Sequence, residues 1–524
     1  MKEREWEHYS VSDPRPRLMD VLAALSLTTD LGMGQPPETM LRCCVLATRL
    51  ARAIDLSETD VREVFLGSLV RHLGCTATAA VEAREHGGDE LASRAAAQLT
   101  DFGDPREMLA LTLATGRGRG ARRPLLVARA AFGDVVHGKE ILTTVCDAAS
   151  LLAGRLGFGR GVHQCVEQQF ERWDGKGPRG LAREDITLPA RVSEVATQAV
   201  LWAAAGGHDR ALAVVTQRSG GWFDPGVAEV FTRVGRELMR ELDADDPWQS
   251  LLESEPAPVA YIGEPDLDRV AQCFADMVDL KSPYTLGHSS EVARLAENAA
   301  RVVGLDRQEA VVLRRAALLH DLGRVGVSSG IWEKRGTLTR SEREQVRMHP
   351  YHTERILACS VALEPLGRIA GLHHERLDGS GYHHGLSASA IPMPARLLAA
   401  ADAFQTSTQA RPHRPANTPE RAADLLIAEA GAGRLDVDCV RAVVEVAGQP
   451  RPLTRRDWPA GISAREVDVL RLLAAGLSNR EIGAALSISR RTAEHHVQHI
   501  YAKIGHSTRA AAALFAMEHD LLQA

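Results

Sequence analysis

The sequence contains few aromatic residues, which make up 4% of its 524 positions. Hydrophobic residues still reach 45%, so leucine, valine and alanine must supply the cores of the folded protein. A strong excess of either charge is also lacking, since the formal net charge is −6. Any surface that binds nucleic acid must therefore be local. The length predicts about three to four domains.

Signals for export and for membrane insertion are absent from the sequence. The stretch from Met1 to Ser10 is polar and charged and lacks the apolar core of a secretory signal. No apolar run approaches the ~20 residues that span a bilayer. The eight cysteines are scattered and form no C-x-x-C pair, which argues against a disulfide framework or a thiolate zinc site. We expect a cytoplasmic protein with no membrane partner.

What the sequence does contain is helical periodicity. Apolar residues recur at helical spacing, as in the stripe Val292, Leu295, Ala296, Ala299 and Val302. Long alternating runs, which are typical of strands, are absent. We predict a mainly α protein with the following parts: an N-terminal segment at 1–33, a first helical domain at 34–242, a linker at 243–262, a second helical domain at 263–447, a linker at 448–460 and a C-terminal domain at 461–524.

Two parts of the chain repeat each other weakly. Residues 38–74 align without gaps to residues 287–323, and residues 171–181 match residues 375–386 with one residue deleted. A repeat of this kind indicates two copies of one structural unit. The first half therefore looks like a diverged copy of the second.

The second half holds histidines and aspartates in an ordered series. They are His288, the pair His320 and Asp321, then His349, the pair His373 and His374, and finally Asp402. Imidazoles and carboxylates without thiolates suit iron, manganese and similar divalent ions. A carboxylate beside a histidine can bridge two metals, and metals ~3.5–4 Å apart support in-line displacement at phosphorus.

These motifs, together with L-G-R-V-G-V after Asp321 and D-G-S-G-Y ending at Tyr382, resemble the HD-GYP family of HD phosphohydrolases. The resemblance covers residues 281–414. It implies hydrolysis of a cyclic dinucleotide, such as cyclic di-GMP, at a centre of two divalent metal ions, iron or manganese. By the same resemblance His320 and Asp321 are the catalytic pair. The implied ligands of one metal are His288, His320, Asp321 and Asp402, those of the other are His349, His373 and His374, and Asp321 bridges them.

The resemblance also implies substrate contacts from Tyr382, Arg411 and Arg414, and the planar guanidinium suits phosphate. The sequence departs from the family in the altered motif Gly381-Tyr382-His383 and at Arg324 and Gln405. None of the seven metal ligands is lost. Two alternatives therefore stand beside the phosphodiesterase: a non-catalytic regulator that senses a ligand at this site, and an HD phosphohydrolase that acts on another nucleotide.

The repeat alignment indicates that the first half has lost this chemistry. The residues opposite the seven ligands are Thr39, Arg71, His72, Gln169, Phe170 and Thr197, with the partner of His349 not assigned. A cationic Arg71 is incompatible with metal ligation. We therefore predict a degenerate HD-like domain in the first half, with a role in dimerisation or in sensing an input.

The pattern changes from Ile462 onward. Ser463 and Glu466 form a capping box ahead of an apolar run. A short helix over residues 478–486, a turn at 487–489 and a third helix over 490–504 complete the arrangement of a helix-turn-helix. The motifs R-E-V-D-V-L-R-L-L-A-A-G, S-N-R-E-I and K-I-G-H-S-T-R resemble the LuxR-type DNA-binding domain.

That second resemblance implies a homodimer that binds double-stranded DNA and regulates transcription. By position in the family, Glu494, His495 and Gln498 approach base edges. Arg491, Thr492 and Lys503 hold phosphates, contacts that position a protein on DNA without reading its sequence. The sequence thus predicts a metal-dependent phosphodiesterase coupled to DNA binding.

Overall fold

The computed structural model describes residues 15–85, 87–114, 123–448 and 458–522. Within these ranges every regular element is a helix, and β-pairing is limited to three isolated bridges. The prediction of a mainly α protein is therefore confirmed. None of the described helices is both long enough and apolar enough to cross a membrane.

The first half forms helices α1 to α11. Their bounds are Leu18–Gly32, Thr39–Ala53, Glu58–Leu69, Ala79–Glu85, Glu90–Ala97, Pro105–Ala114, Arg123–Arg155, Arg160–Glu167, Leu188–Gln217, Pro225–Ala244 and Pro247–Ser254. The stretch expected to be a linker at 243–262 is structured, since it contains α11. The Asp246 side chain caps this helix, and Trp248 and Leu251 are buried against α2.

The second half forms helices α12 to α21. Their bounds are Glu264–Asp279, His288–Val302, Arg307–Leu319, Ser329–Trp332, Arg340–Arg347, His349–Leu357, Glu364–Ala370, Met393–Thr408, Pro419–Gly431 and Val437–Ala447. The apolar stripe of α13 is buried as predicted, except for Val302. That side chain is 45% exposed, because it lies in the last turn of the helix where the core ends.

The helices of the two halves repeat as the alignment predicts. Thr39 begins α2 and His288 begins α13, at aligned positions. The residue before each helix is left-handed, with φ 74° at Glu38 and φ 70° at Gly287. A left-handed conformation costs free energy for a residue other than glycine. Its presence at Glu38 therefore indicates that the repeated fold imposes the local geometry.

The N-terminal helix α1 lies between the two halves. It packs on α2 and α3 of the first half and on α17 and the turn after Asp321 of the second. Most of its side chains are buried, including Met19, Leu22 and Leu25. One hydrophobic core consequently runs through both halves.

A buried ionic contact fastens the first half to the second. Glu90, the first residue of α5, is fully buried. It accepts hydrogen bonds from Lys281 Nζ at 2.9 Å, the Ser329 backbone nitrogen at 2.7 Å and the Ser328 hydroxyl at 2.7 Å. Burial alone would raise the pKa of this carboxyl, but the Lys281 ammonium and the hydrogen bonds lower it to about 2.

The C-terminal part forms helices α22 to α25, with bounds Ala464–Ala474, Asn479–Ala485, Arg490–Ile504 and Arg509–Glu518. It has its own small core around Leu470, Ile482 and Ile500. Helix α25 also packs on α7, and its Ala513 and Leu514 belong to the main core. The C-terminal part is thus docked on the body of the protein.

We predict that Glu90→Gln destabilises the protein by about 3–5 kcal/mol, because the Lys281 ammonium would remain buried without its counter-charge. Urea unfolding at neutral pH measures this difference, with the exposed Glu253→Gln on α11 as the control. The folded pKa of Glu90 lies below its ordinary value of 4.5. Its contribution is therefore complete above that pH and declines as the pH falls towards 2. Equal unfolding midpoints for both variants would contradict the prediction.

Candidate metal centre and DNA-binding surface

The ends of several helices bring the predicted metal ligands together. His288 opens α13, His349 opens α17, and Asp402 lies within α19. The pair His320 and Asp321 follows α14, and the pair His373 and His374 follows α18. All of them are buried except the half-buried His374. Two groups of donors result, namely His288, His320 and Asp321 on one side and His349, His373 and His374 on the other.

The carboxylate of Asp321 lies between the two groups. Its Oδ2 is 3.7 Å from Nε2 of His288 and 3.5 Å from Nε2 of His320. Its Oδ1 is 3.5 Å from Nε2 of His349 and 3.7 Å from Nε2 of His373. Ligands bound 2.0–2.2 Å from one ion lie about 3.3 Å apart when tetrahedral, so these spacings are close to those of a ligand shell. Each oxygen of Asp321 thus faces a different group of histidines.

The outer ring nitrogens of the histidines are anchored. Nδ1 of His320, His349 and His373 each lies 2.6–2.7 Å from the backbone carbonyl three residues earlier. Nδ1 of His288 lies 3.1 Å from the side-chain oxygen of Gln409. Because these oxygens only accept hydrogen bonds, Nδ1 carries the proton in all four rings. The lone pair of Nε2 is then directed into the centre.

The inner nitrogens need a partner. Nε2 of His288 and Nε2 of His320 are buried without a hydrogen bond. A buried polar atom without a partner costs free energy, and a metal ion would satisfy a neutral imidazole nitrogen. The donor set therefore fits divalent metal ions.

The protonation states also favour metal binding. Burial lowers the pKa of His349 to about 4 and that of His373 to about 3, so both rings are neutral at physiological pH. Burial alone would raise the pKa of Asp321, but the neighbouring His320 and Arg324 hold it well below its ordinary range. The neutral rings of His349 and His373 therefore lie beside an ionised carboxylate.

The three predicted substrate residues have different surroundings. The ring of Tyr382 packs on His374, with ring centroids 4.8 Å apart. Arg411 donates to the Tyr284 carbonyl at 3.2 Å and lies within electrostatic range of Asp402. The Arg414 guanidinium donates to four backbone carbonyls, two in the last turn of α19 and two in the loop that follows, so it holds the loop against the helix.

Several residues that hold the metal ligands in place were not predicted from the sequence. Gln409 orients His288, and the Thr406 hydroxyl donates to Asp402 at 3.0 Å. Arg324 donates to Asp321 at 3.1 Å while its guanidinium lies 4.0 Å from the Trp332 ring. Arg324 stood out in the sequence as a departure from the family pattern. Gln409 and Thr406 gave no signal, because nothing in their spacing separates them from surface residues of a helix end.

The corresponding place in the first half is filled by an ion pair. The buried Arg71 guanidinium pairs with the buried Glu194 carboxylate and donates to the Gln169 carbonyl at 2.6 Å. Burial lowers the pKa of the neighbouring His72 well below its ordinary value. A fixed cation thus occupies the position that His320 holds in the second half.

The C-terminal helices have the predicted capping box of Ser463 and Glu466, and two further caps that were not predicted. Ser463 with Glu466 and Ser478 with Glu481 form capping boxes, and Ser489 caps α24. Ala493, Val497 and Ile500 of α24 face the core. The predicted DNA contacts Arg491, Thr492, Glu494, His495, Gln498 and Lys503 are all exposed.

Lys503 differs from the other predicted DNA contacts. Its ammonium lies 2.7 Å from the carboxylate of Glu466 and 3.0 Å from the Gly461 carbonyl. It thereby ties the end of α24 to the start of α22. The other five residues present one face of the helix, as a helix placed in the major groove requires.

Two stretches of the chain match known families. Residues 272–439 match the family described as HD domain, and residues 460–516 match that of bacterial regulatory proteins, luxR family. The chain is 30% identical over 410 residues to 3′3′-cGAMP-specific phosphodiesterase 3 of Vibrio cholerae serotype O1, covering 77% of this chain and 89% of that protein. It is 34% identical over 179 residues to the cyclic di-GMP phosphodiesterase response regulator RpfG of Xanthomonas campestris pv. campestris, covering 34% and 47%.

A solved structure is also similar. The crystal structure of the V. cholerae cyclic GMP-AMP specific phosphodiesterase V-cGAP3 aligns with a TM-score of 0.57 and 26% identity. The alignment covers 83% of this chain and 99% of that one. The similarity therefore extends well beyond the second half.

We predict that Gln409→Leu weakens binding of one metal ion about 10- to 100-fold, because His288 loses the acceptor that fixes its Nδ1 proton. Chelator competition followed by Mn²⁺ electron paramagnetic resonance measures this affinity. The exposed Gln345→Leu on α16 is the matched control. An unchanged affinity in Gln409→Leu would show that this hydrogen bond does not orient the ligand.

Proposed function

The chain belongs to the HD-domain family of cyclic-dinucleotide phosphodiesterases, and on that basis we propose that it hydrolyses a cyclic dinucleotide at the centre around Asp321. The observation that carries the proposal is the position of Asp321, whose two oxygens face separate groups of histidines. Iron and manganese suit this mixture of imidazole and carboxylate ligands. We infer two metal ions, with His288, His320, Asp321 and Asp402 on one and His349, His373 and His374 on the other.

The first candidate substrate is 3′3′-cGAMP. One relative whose name specifies this substrate aligns with 77% of the chain, so its alignment includes part of the degenerate half. The cyclic di-GMP phosphodiesterase RpfG aligns with 34%. Cyclic di-GMP is the second candidate. The altered motif at His383 lies beside Tyr382 and so belongs to the region where the two substrates would be distinguished.

The chain's own groups prepare the site for a phosphodiester. Divalent metals at such a centre supply activation of water and neutralisation of charge on the phosphate. Burial and the nearby Arg324 lower the pKa of Arg411 to about 10, so its guanidinium remains charged at neutral pH. We propose that Arg411 binds a phosphate oxygen and that Tyr382 contacts the substrate beside His374. Arg414 positions the loop that carries Arg411.

We further propose that the centre is coupled to DNA binding through the docked C-terminal domain. Arg155, at the end of α7, pairs with Asp276 of α12. The same guanidinium donates to the Leu514 carbonyl at 2.7 Å and lies 3.0 Å from the Glu518 carboxylate, both on α25. One side chain thus joins both halves to the DNA-binding domain. Binding to two-fold symmetric DNA requires a homodimer, which forms part of the proposal.

The contact also reaches the metal centre. Leu522 lies against Gly287, the residue before His288, since a Cβ atom at Gly287 would be 3.7 Å from Leu522 Cδ1. Asp279 of α12 accepts two hydrogen bonds from Ser289, the residue after His288. We propose that a change at the start of α13 is passed to α25 through Leu522 and α12.

Turnover is tested with protein loaded with manganese or iron and given 3′3′-cGAMP or cyclic di-GMP, with products followed by chromatography. We expect hydrolysis, with 3′3′-cGAMP preferred, and a loss of about 1000-fold or more in Asp321→Asn, because the carboxylate shared by both groups is removed. Metal-dependent binding of either dinucleotide without turnover would show that the protein is a ligand-sensing regulator and not an enzyme. Hydrolysis of a different nucleotide alone would overturn the substrate proposal.

Coupling is tested with Arg155→Met and a DNA duplex selected from random sequence by the protein itself. In the parent chain we expect the DNA affinity to differ between protein with and without bound dinucleotide. In Arg155→Met we expect the ratio of these two affinities to approach one, because the contacts of Arg155 with α25 are lost. Fluorescence anisotropy gives the ratio. The control is Arg441→Met, which removes an exposed arginine that pairs with Asp438 on the same helix. An equal ratio in Arg155→Met and the parent would refute this route of coupling.

A further inference from the structure

A third group of metal-binding side chains lies outside the centre, among the described residues. It consists of Glu354 on α17 and of His383 and His384 in the loop that follows Tyr382. His349 opens the same helix five residues before Glu354. None of the three belongs to the predicted ligand set around Asp321.

The two imidazoles converge on one carboxylate oxygen. Nε2 of His383 lies 2.9 Å and Nε2 of His384 lies 2.8 Å from Oε2 of Glu354. The two ring centroids are 4.0 Å apart. Ligands of a tetrahedral zinc ion are about 3.3 Å apart, for bonds of 2.0–2.2 Å. A separation of these donors by about half an ångström would therefore admit an ion between them.

His383 lacks any other partner. Both of its ring nitrogens are inaccessible to solvent and make no hydrogen bond, although Nε2 is close to Glu354. Nε2 therefore faces a carboxylate without a well-directed hydrogen bond, and an ion placed between the two atoms would coordinate both. The other two side chains remain accessible, with His384 41% and Glu354 29% exposed. Solvent molecules can consequently complete the coordination of an ion.

The loop that carries the histidines is held in place. Glu375 accepts hydrogen bonds from the backbone nitrogens of His384, Gly385 and Leu386 at 2.8, 3.2 and 2.8 Å. The Tyr351 ring of α17 meets the His383 ring edge-on, with centroids 5.6 Å apart. Preorganised donors lose little freedom when an ion binds, which favours a defined site over a chance encounter of surface histidines.

We propose that Glu354, His383 and His384 bind a divalent ion of the zinc, cobalt or nickel type, separately from the centre around Asp321. Two imidazoles and one carboxylate form a ligand set that zinc uses in proteins, and these ions bind nitrogen donors more tightly than manganese does. The ion ties the loop to α17. Because Tyr382 directly precedes His383 and packs on His374, the ion also holds Tyr382 in its place beside the metal centre.

The test measures zinc bound per chain by mass spectrometry after equilibrium dialysis at micromolar Zn²⁺. His383→Pro removes one ligand and places there the proline that the related family motif has. We expect this variant and Glu354→Gln each to bind one zinc ion fewer than the parent chain. His208→Ala is the control, because it removes an imidazole that pairs with one carboxylate, Asp243, outside the group. We expect it to keep the parent stoichiometry.

The same comparison in an Asp321→Asn background separates this site from the centre. If the site is independent, each site variant still binds one zinc ion fewer than the Asp321→Asn parent, whether or not the protein is a phosphodiesterase. His384→Ala, which changes an exposed side chain, provides a second variant should His383→Pro fold poorly. Equal zinc content in the parent and all three site variants would overturn the proposal. Half-saturation of the parent only at millimolar Zn²⁺ would also overturn it, and Glu354 would then form a simple ion pair with the histidines.

Discussion

The buried carboxylate of Glu90 reaches from the first half into the two segments from which the metal centre is built. Lys281 lies seven residues before His288, and Ser328 and Ser329 follow the pair His320 and Asp321. All three are hydrogen-bonded to Glu90. Inside a protein such a charge is tolerated only when it is fully paired. The position of both segments, and hence the spacing of the metal ligands, therefore depends on a residue of the degenerate half.

That dependence gives the first half a physical role without chemistry of its own. At the place where the second half presents a histidine, Arg71 and Glu194 form a buried ion pair. The pair supplies a fixed positive charge and a fixed negative charge where the second half would hold a metal and its ligands. Because the buried polar groups of this domain pair with each other and not with a metal, its fold does not depend on the metal concentration. It can then serve as a rigid support for the catalytic half.

The sequence allowed prediction of whatever is encoded within a single helix or a short motif. The stripe of α13, the capping box of Ser463 and Glu466 and the order of the metal ligands all depend on residues a few positions apart, or on a family pattern. Glu90 pairs with Lys281 across 191 residues, and no local periodicity reveals such a partner. Gln409 acts on His288 across 121 residues. The helices α1 and α11 were missed for a related reason, because polar or proline-containing flanks masked segments whose burial is decided by the tertiary fold.

The strength of the contact between α25 and the body of the protein determines how much free energy a ligand must supply to alter DNA binding. Small side chains such as Ala510 and Ala513, with Leu514, form the apolar part of this contact, and Arg155 supplies its ionic part. A ligand can shift this contact only by as much as it prefers one arrangement over the other, and a shift from 1:99 to 99:1 needs a preference of about 5.5 kcal/mol. A ligand with equal affinity for both would shift nothing. We place such a preference at the start of α13, because Leu522 lies near Gly287 and the next residue, His288, is a predicted metal ligand.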